Sequence, residues 1–480
     1  MTTSPQLRTR TEPTRIAAIF DFDGTLIDGY SALAALADRA RRGDIGPSEA
    51  LKLVASGAKV AMGQAGIEDF MRTGVLALRG RPVAELDDFG RRLTRTALGG
   101  RLFPEAVRLI ASHQKRGHLV VIASSALSFQ VDGLAEELGV DRVVCTRLGE
   151  QGGVCTGEID GEVLWGVAKA NAVRSLAATE GIDLERSYSY ANGNEDIEFL
   201  ATAGHPTAVN PGSELERVAN ERSWAIQRFT NRPRPGASDA ARTVAAYSGL
   251  LTSCCVGATV GLLNRSRRDA ANLTFALGGD LSLSLAGVRL KIVGEHNLWS
   301  ARPAVFIFNH QSLLDGFIAL KLIRSDFTGV AKKEMGRVPI LAQFAWLTNV
   351  ALVDRADSQK TKATLEPVVE RLRQGYSIAI APEGTRSVTP RVGRFKKGAF
   401  HLAMQGRVPI VPIVIRNAGD LQWRGSRLIQ SGQIDVAVLP PIGVEEWTRA
   451  NLDDKVAGVR SLFIDALDGW DATVASVRDR

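Results

Sequence analysis

The sequence predicts two α/β domains joined by a linker, on three observations. At 480 residues, the chain is longer than a single hydrophobic core usually supports. Short apolar runs repeatedly end in Asp, Asn, Ser or His, and parallel strands present functional groups in this way at their carboxyl ends. Midway along the chain, residues 231–239 contain two X-Pro bonds followed by Gly and Ser. That composition disfavours helix and predicts the linker.

The composition is that of a globular protein, with 45% hydrophobic and 23% charged residues. Its four cysteines have no metal-ligand spacing and are too few for a disulfide framework, which indicates a reducing compartment. Residues 1–230 contain 26 Lys and Arg against 30 Asp and Glu, whereas residues 231–480 contain 33 against 22. We find no nucleic-acid-binding module. The basic half therefore predicts anionic lipid or phosphorylated small molecules as partners, and no nucleic acid.

The first half of the chain predicts alternating strands and helices. Strands are expected at 16–20, 119–123, 142–145 and 187–191, with a helical insertion at about 29–100. The expected boundaries are a disordered tail (1–14), a first α/β domain (15–228), a linker (229–241), a membrane-associated helical segment (242–288) and a second α/β domain (289–480).

Two carboxylates follow the first predicted strand. Asp21 ends the apolar run and Asp23 lies two residues later, so both are expected to face one pocket at the edge of the sheet. One carboxylate can attack phosphorus while the other protonates the leaving oxygen. Mg²⁺ would allow an anionic nucleophile to approach an anionic phosphate. The pair therefore predicts phosphoryl chemistry.

Three later segments supply further groups that such a site needs. Ser124 ends a second strand, and its hydroxyl can donate to a phosphate oxygen. Lys169 lies at the start of a helix and supplies a cation. Asn192 and Asp196 follow a third strand with oxygens of the kind that bind Mg²⁺. With these motifs in this order, residues 14–220 resemble the phosphoserine-phosphatase-like branch of the haloacid-dehalogenase superfamily.

The resemblance implies a Rossmann-like sheet with the helical insertion as a cap. It also implies that Asp21 is the nucleophile and Asp23 the general acid and base. Ser124 and Lys169 would bind phosphate. Mg²⁺ would be held by Asp21, the carbonyl of Asp23 and the last motif, Asn192 and Asp196.

Asn192 departs from the family pattern, in which an Asp is common at this position. An amide oxygen coordinates Mg²⁺ but contributes less charge, so the affinity for Mg²⁺ should fall. An alternative therefore stays open, in which the first domain is a degenerate module for regulation or membrane docking.

An uncharged run of 20 residues, 244–263, follows the linker. It is long enough to cross a bilayer, but three glycines and four Ser or Thr weaken its hydrophobicity. Arginines flank both ends, so the charges assign no orientation. A re-entrant or interfacial helix, a spanning helix and a buried helix remain open. We favour monotopic attachment, because a span would place the two halves of the chain on opposite sides of the membrane.

A second chemical motif is centred on His310, 289 positions after Asp21. The apolar run 304–308 is followed by Asn309 and His310, and Asp315 comes five residues after the histidine. A carboxylate at this spacing can fix the imidazole tautomer while the histidine removes a hydroxyl proton. The motif therefore predicts deprotonation of a hydroxyl.

Further blocks indicate a phosphorylated acceptor beside an apolar channel. They are 330–335 with Lys333, 351–355 ending in Arg355, 379–387 with Glu383, Gly384, Thr385 and Arg386, and 408–413. Guanidinium groups suit bidentate phosphate binding, and a carboxylate such as Glu383 can accept a hydrogen bond from the acceptor hydroxyl. With these blocks, residues 285–440 resemble the lysophosphatidic acid (1-acyl-glycerol-3-phosphate) acyltransferases.

That resemblance implies direct acyl transfer from acyl-CoA or acyl carrier protein. His310 would be the base and Asp315 its orienting partner, with Arg355, Arg386 and Lys333 holding phosphate. Together the two resemblances imply synthesis of phosphatidic acid at the cytoplasmic side of the cell membrane, fused to a Mg²⁺-dependent phosphatase. Another lyso-lipid acceptor remains an alternative.

Overall fold

The computed structural model describes residues 15–46, 51, 55–56, 66–230, 235–353 and 358–478. The chain divides into two compact units, Met1–Arg234 and Pro235–Arg480. The predicted tail, 1–14, and the centre of the predicted linker, 231–234, lie outside the described residues.

The first unit contains a seven-stranded sheet. Its strands are β1 (Ala17–Phe20), β2 (Leu119–Leu127), β3 (Arg142–Gln151), β4 (Val154–Asp160), β5 (Tyr188–Ala191), β6 (His205–Val209) and β7 (Ala225–Gln227). The strand order is β4-β3-β2-β1-β5-β6-β7, and only the β3–β4 pair is antiparallel. Every residue of the central strand β1 is buried, as expected for a parallel strand whose two faces are both covered.

Helices connect these strands. They are α1 (Ser31–Arg42), α2 (Ile67–Leu76), α3 (Val83–Leu93), α4 (Pro104–Lys115), α5 (Ser128–Leu138), α6 (Val167–Glu180), α7 (Ile197–Leu200) and α8 (Ser213–Glu221). Helices α1 to α3 lie between β1 and β2, within the predicted insertion. Because β1, β2 and β5 are parallel neighbours, their carboxyl ends meet at one edge of the sheet.

The second unit contains another seven-stranded sheet. Its strands are β8 (Val288–Val293), β9 (Val305–Phe308), β10 (Phe327–Lys332), β11 (Ala351–Val353), β12 (Ser377–Ile380), β13 (Ile410–Ile415) and β14 (Gly432–Val438). The order is β11-β10-β12-β9-β13-β14-β8, with only β13 and β14 antiparallel. The fold class predicted from the sequence is therefore confirmed in both units.

The helices of the second unit cover both faces of its sheet. They are α9 (Ala237–Leu263), α10 (Arg267–Leu285), α11 (Leu314–Ile323), α12 (Leu341–Leu347), α13 (Ser358–Arg373), α14 (Gly398–Gly406), α15 (Ala418–Leu421), α16 (Leu452–Asp468) and α17 (Trp470–Arg478). Side chains alternate across β9: Phe306 joins the core beneath α9 to α11, whereas Val305 and Ile307 join the core beneath α13, α14 and α16.

Helices α9 and α10 form a close hairpin. A Cβ atom at Gly257 would lie 2.1 Å from Oγ1 of Thr274, and one at Gly261 would lie 2.5 Å from Cβ of Ala270. The hydroxyl of Ser282 donates to the carbonyl of Ala246 (3.0 Å). The glycines that weaken the hydrophobicity of 244–263 therefore allow close helix packing.

Helix α9 contains the whole uncharged run and extends it at its amino end. Among the described residues, it is the helix that is long and apolar enough to cross a membrane, and one third of its most apolar window is buried. These properties concern length and composition alone, and the membrane placement of the hairpin stays a prediction.

Candidate active sites

The first candidate site is organised around the ammonium group of Lys169. Its Nζ donates to Oδ1 of Asp21 (2.6 Å) and to Oδ1 of Asp196 (2.8 Å). The three side chains are almost fully buried. Burial lowers the pKa of Lys169, but the two carboxylates outweigh that effect and the net shift is upward. The lysine therefore stays charged and holds together two acids that lie 175 positions apart in the chain.

A threonine links the first carboxylate to the last motif. Oγ1 of Thr25 lies 3.1 Å from Oδ2 of Asp21 and 3.0 Å from Oδ1 of Asn192. Gly24 makes this approach possible: its φ is +78°, and a Cβ there would lie 2.2 Å from the Asn192 amide nitrogen. The glycine and threonine of the Asp21–Thr25 motif thus bring Asn192 next to the predicted nucleophile.

Asp23 is held by Ser31 at the amino end of α1. Its carboxylate accepts the backbone N–H of Ser31 (2.7 Å) and the Ser31 hydroxyl (2.9 Å). Burial is the largest influence and raises the pKa of Asp23 to about 7, although both hydrogen bonds act against it. Sequence reasoning missed Ser31, because only the turn after β1 brings it to the carboxylate.

Ser124 lies in β2, at the same edge of the sheet as Asp21. It is buried, and its Oγ accepts the backbone N–H of Ala126 (3.1 Å). Its hydroxyl proton is therefore available for donation, which suits a phosphate oxygen.

The oxygen donors of this site suit Mg²⁺. Among the described residues, no group of three or more His, Cys, Asp and Glu side chains has a metal-binding arrangement. The predicted set differs from such a group because it includes the carbonyl of Asp23 and the amide of Asn192. Burial, Asp21 and Glu195 raise the pKa of Asp196 against the effect of Lys169, and a divalent cation would relieve this crowding of negative charge. The residues present therefore fit the cation that the sequence predicts.

The second candidate site contains a histidine held by a buried carboxylate. Nδ1 of His310 lies 2.8 Å from Oδ2 of Asp315, and that oxygen also accepts the backbone N–H groups of Gln311 (2.8 Å) and Ser312 (2.9 Å). Asp315 is fully buried. With Nδ1 donating to the carboxylate, Nε2 is left as the basic nitrogen.

Two neighbouring residues fix the backbone on which His310 lies. Asn309 exchanges two hydrogen bonds with Ile415 in β13, one through Nδ2 (2.7 Å) and one through Oδ1 (2.8 Å). Glu383 accepts the backbone N–H of His310 through Oε1 (2.7 Å) and that of Gly393 through Oε2 (2.8 Å). Glu383 was predicted to accept from a substrate hydroxyl. In the structure both of its oxygens accept backbone N–H groups, and the contact with a substrate hydroxyl stays a prediction.

The loop after β12 brings cations to the same site. Arg386 is half-buried, and burial lowers its pKa, partly offset by the charge of Asp315 and by Tyr247. Gly384 has a φ of +72°, and a Cβ there would lie 3.1 Å from Nζ of Lys396. Thr385 is exposed in this loop. Arg386 and Lys396 therefore supply positive charge beside the histidine loop.

Lys333 begins the turn after β10, at the edge of the sheet where β9 and β12 also end. Arg355 lies outside the described residues, so its contact with phosphate stays a prediction.

Sequence reasoning missed Tyr247 and two glutamines. Tyr247 packs edge-on against Phe317, and its electrostatic interaction with Arg386 brings a residue of α9 to the site. Gln422 is fully buried, and its Oε1 accepts from the Ser312 hydroxyl (3.2 Å). Gln311 lies next to His310 in the chain and is also buried. The only available signals were the adjacency of Gln311 to the histidine and the lone tyrosine in a run of small residues.

Each of the two units matches a known protein family. A family model for haloacid dehalogenase-like hydrolases matches residues 18–201, and an acyltransferase family model matches residues 289–416. A 1-acyl-sn-glycerol-3-phosphate acyltransferase of Saccharomyces cerevisiae is 36% identical over 186 residues, which are 38% of this chain and 61% of the relative. This chain thus spans less than two thirds of the yeast relative. The enzyme of the same name from Limnanthes douglasii is 33% identical over 40% of this chain and 68% of its own length.

Another relative is the inhibition of morphological differentiation protein of Streptomyces azureus, 33% identical over 54% of this chain and 96% of its own length. Solved structures that match include the 1-acyl-sn-glycerophosphate acyltransferase of Thermotoga maritima, with 21% identity and a TM-score of 0.42 over 48% of this chain and 96% of that one. A phosphoserine phosphatase matches with 23% identity and a TM-score of 0.35 over 46% and 95%. The chain belongs to the 1-acyl-sn-glycerol-3-phosphate acyltransferase family and joins its acyltransferase domain to a preceding haloacid dehalogenase-like hydrolase domain.

Proposed function

We propose that the second unit transfers an acyl group from acyl-CoA or acyl carrier protein to 1-acyl-sn-glycerol 3-phosphate, giving phosphatidic acid. The observation that carries this proposal is the His310–Asp315 pair, 2.8 Å apart, beside the cationic loop of Arg386. A base next to phosphate-binding cations matches an acceptor that carries both a hydroxyl and a phosphate.

In this proposal Nε2 of His310 removes the proton of the free glycerol hydroxyl as its oxygen attacks the thioester carbonyl. The C–S bond then breaks, and the departing thiolate takes the proton from the imidazolium. Asp315 keeps Nδ1 protonated and stabilises the transient positive charge on the ring. Asn309 and Glu383 hold the histidine backbone, so both act as positioning residues.

The acceptor phosphate would bind to Arg386, with Lys333 and Arg355 as the further ligands expected from the sequence. Lys396 joins this set in the proposal, because its ammonium lies against Gly384. Guanidinium groups supply bidentate donors, and lysines supply point charges. Helices α9 and α10 would attach this unit to the cytoplasmic side of the membrane, in a peripheral or monotopic way.

For the first unit we propose a Mg²⁺-dependent phosphomonoester phosphatase. Asp21 attacks phosphorus and forms an aspartyl-phosphate, and Asp23 donates a proton to the leaving oxygen. Lys169 and Ser124 hold the phosphate oxygens. Bound Mg²⁺, held by Asp21, the Asp23 carbonyl, Asn192 and Asp196, would neutralise charge between the phosphate and the attacking carboxylate. In the second step Asp23 removes a proton from the water that releases phosphate.

Two assays test the two proposals. The full-length protein is incubated with Mg²⁺, labelled acyl-CoA and lysophosphatidic acid, and both lipid products and inorganic phosphate are followed. Labelled phosphatidic acid supports the acyltransferase proposal, and its absence, with another lyso-lipid acylated instead, contradicts the acceptor assignment. Hydrolysis of a generic aryl phosphate tests the phosphatase. No Mg²⁺-dependent release would favour the second candidate, a regulatory or docking module, for which Asn192 is the supporting observation.

A further inference from the structure

The second unit contains a cavity of about 700 Å³ that has no part in the reactions proposed above. Residues of α12, of the edge strand β11 and of α13 line it, together with Arg267, the first residue of α10. Most of the lining is apolar and includes Trp346, Leu352 and Val368. A mainly apolar cavity of this size with a few polar groups suits a small ligand.

The charge of this cavity is positive. Arg267 and Arg371 both line it, and of the described lining residues none is acidic. No carboxylate in the described part of the chain forms an ion pair with either arginine, whereas their near neighbours Arg268 and Arg373 are paired with carboxylates at 2.6 and 3.3 Å. Two positive charges without an acidic partner in an apolar cavity indicate an anionic ligand.

Both guanidinium groups are held by aromatic rings. That of Arg267 lies 5.2 Å from the ring centroid of Trp346 and also donates to the carbonyl oxygen of Trp346. That of Arg371 lies 5.5 Å from the ring centroid of Tyr376. An arginine supported in this way keeps N–H groups at the edge of its plane for an anion, and less side-chain freedom is lost on binding.

The charged part of the cavity lies at the opposite edge of the sheet from His310. Arg371 contacts Tyr376, which directly precedes β12, and the lining residue Thr328 is the second residue of β10. His310 instead follows the carboxyl end of β9, and β10, β12 and β9 are parallel neighbours. A strand of four residues, such as β12, spans about 13 Å. The two arginines therefore belong to a site separate from the proposed acyltransferase site.

We propose that this cavity binds a lipid phosphate monoester, with the phosphate at Arg267 and Arg371 and the hydrocarbon chain along the apolar wall of Trp346, Leu352 and Val368. A phosphate monoester carries a charge of about −1.5 to −2 near pH 7, which matches two guanidinium groups, whereas a carboxylate matches only one. The apolar wall requires a chain that inorganic phosphate lacks. The inference goes beyond the proposed function, because a ligand held here is not acylated.

The experiment measures binding of labelled decyl phosphate, which has no hydroxyl to acylate, by equilibrium dialysis below its micelle concentration. The full-length protein carries Arg386→Gln, which removes the proposed acceptor site, and Mg²⁺, which the proposed phosphatase site needs, is left out. The proposal predicts one bound molecule per chain. Octyl phosphate should bind about tenfold more weakly, because each buried methylene contributes about fourfold. Decanol and inorganic phosphate should bind more weakly still.

Variants of the lining test the site directly. Arg371→Gln and Arg267→Gln should each weaken decyl phosphate binding by about tenfold or more, because each removes a charged hydrogen-bond donor. Ala342→Phe, which fills the cavity without removing a charge, should also weaken it. The matched controls are Arg373→Gln in the same helix and Arg265→Gln just before α10. Neither control residue lines the cavity, so both variants should bind decyl phosphate as the Arg386→Gln protein does.

Three results would overturn the proposal. The first is unchanged decyl phosphate binding in Arg371→Gln. The second is equal affinity for decyl phosphate and decanol, or for decyl phosphate and inorganic phosphate, since the site would then not recognise both charge and chain. The third is an equal loss in Arg373→Gln, which would assign the effect to the surface charge of α13. Because the assay contains neither acyl donor nor Mg²⁺, its result does not depend on whether the proposed reactions occur.

Discussion

Oδ2 of Asp315 accepts three hydrogen bonds, from Nδ1 of His310 and from two backbone N–H groups. The carboxylate is thereby fixed by its own loop before it orients the imidazole. Such an arrangement costs little reorganisation when the histidine becomes charged during the reaction. Rigid support of this kind explains how a loop after β9 can hold a general base accurately.

Replacing Asp315 with Asn should therefore remove most acyl transfer. An amide cannot accept from Nδ1 as strongly, and its N–H₂ group favours the wrong tautomer of His310. We expect kcat to fall by roughly 10²–10⁴-fold, with a much smaller change in KM for the lyso-lipid. Steady-state kinetics with labelled acyl-CoA measure both values. If kcat/KM falls by the same factor through a higher KM while kcat is unchanged, the role of Asp315 in orienting the base is contradicted.

Changing Asn192 to Asp should strengthen Mg²⁺ binding at the first site. A carboxylate adds negative charge to a donor set of oxygens, and Thr25 remains able to donate to it. The Mg²⁺ concentration that gives half-maximal phosphate release should fall by about tenfold or more, while Asn192→Ala should raise it. No change in either variant would show that residue 192 is not a ligand.

The pH dependence of phosphate release should follow Asp23. Burial raises the pKa of this carboxyl to about 7, so its proton-donating form predominates below pH 7 and declines above it. The rate of the phosphorylation step should therefore fall as pH rises through about 7. Because the Ser31 hydroxyl lowers this pKa, Ser31→Ala should move the midpoint to higher pH. A midpoint that does not move, or moves downward, would contradict Asp23 as the proton donor.

Adding a methyl group to Gly257 should destabilise the second unit. The added carbon would meet Oγ1 of Thr274 at 2.1 Å and the carbonyl oxygen of Ala270 at 2.6 Å, so α9 and α10 must separate. We expect Gly257→Ala to cost about 1–3 kcal/mol in the free energy of unfolding. Gly458→Ala is the control, because a Cβ at this position in α16 has no neighbour within 4 Å. This substitution should raise the free energy of unfolding by up to about 1 kcal/mol. Urea unfolding of both variants measures the difference.

Much of both sites was predictable because parallel strands gather distant residues at one edge of a sheet. Asp21 and Asp196 follow β1 and β5, which are parallel neighbours, and Lys169 reaches both from the first turn of α6. His310 and Arg386 likewise lie in loops after β9 and β12, which are parallel neighbours. The local sequence pattern and the strand pairing are sufficient to predict that these residues come together.

The remaining residues depend on loop conformation and helix packing. Ser31 reaches Asp23 only through the turn after β1. Tyr247 reaches the neighbourhood of Arg386 because α9 packs on α10 and α11. Sequence spacing carries no signal for such contacts, since they form between elements whose relative placement is set by the whole core.

The central claim is that one chain carries two independent active sites. The most direct measurement follows acyl transfer to lysophosphatidic acid and Mg²⁺-dependent phosphate release in parallel, for Asp21→Asn and His310→Ala. We predict that Asp21→Asn abolishes phosphate release and leaves acyl transfer intact, while His310→Ala does the reverse. Loss of both activities in either folded variant would contradict the claim.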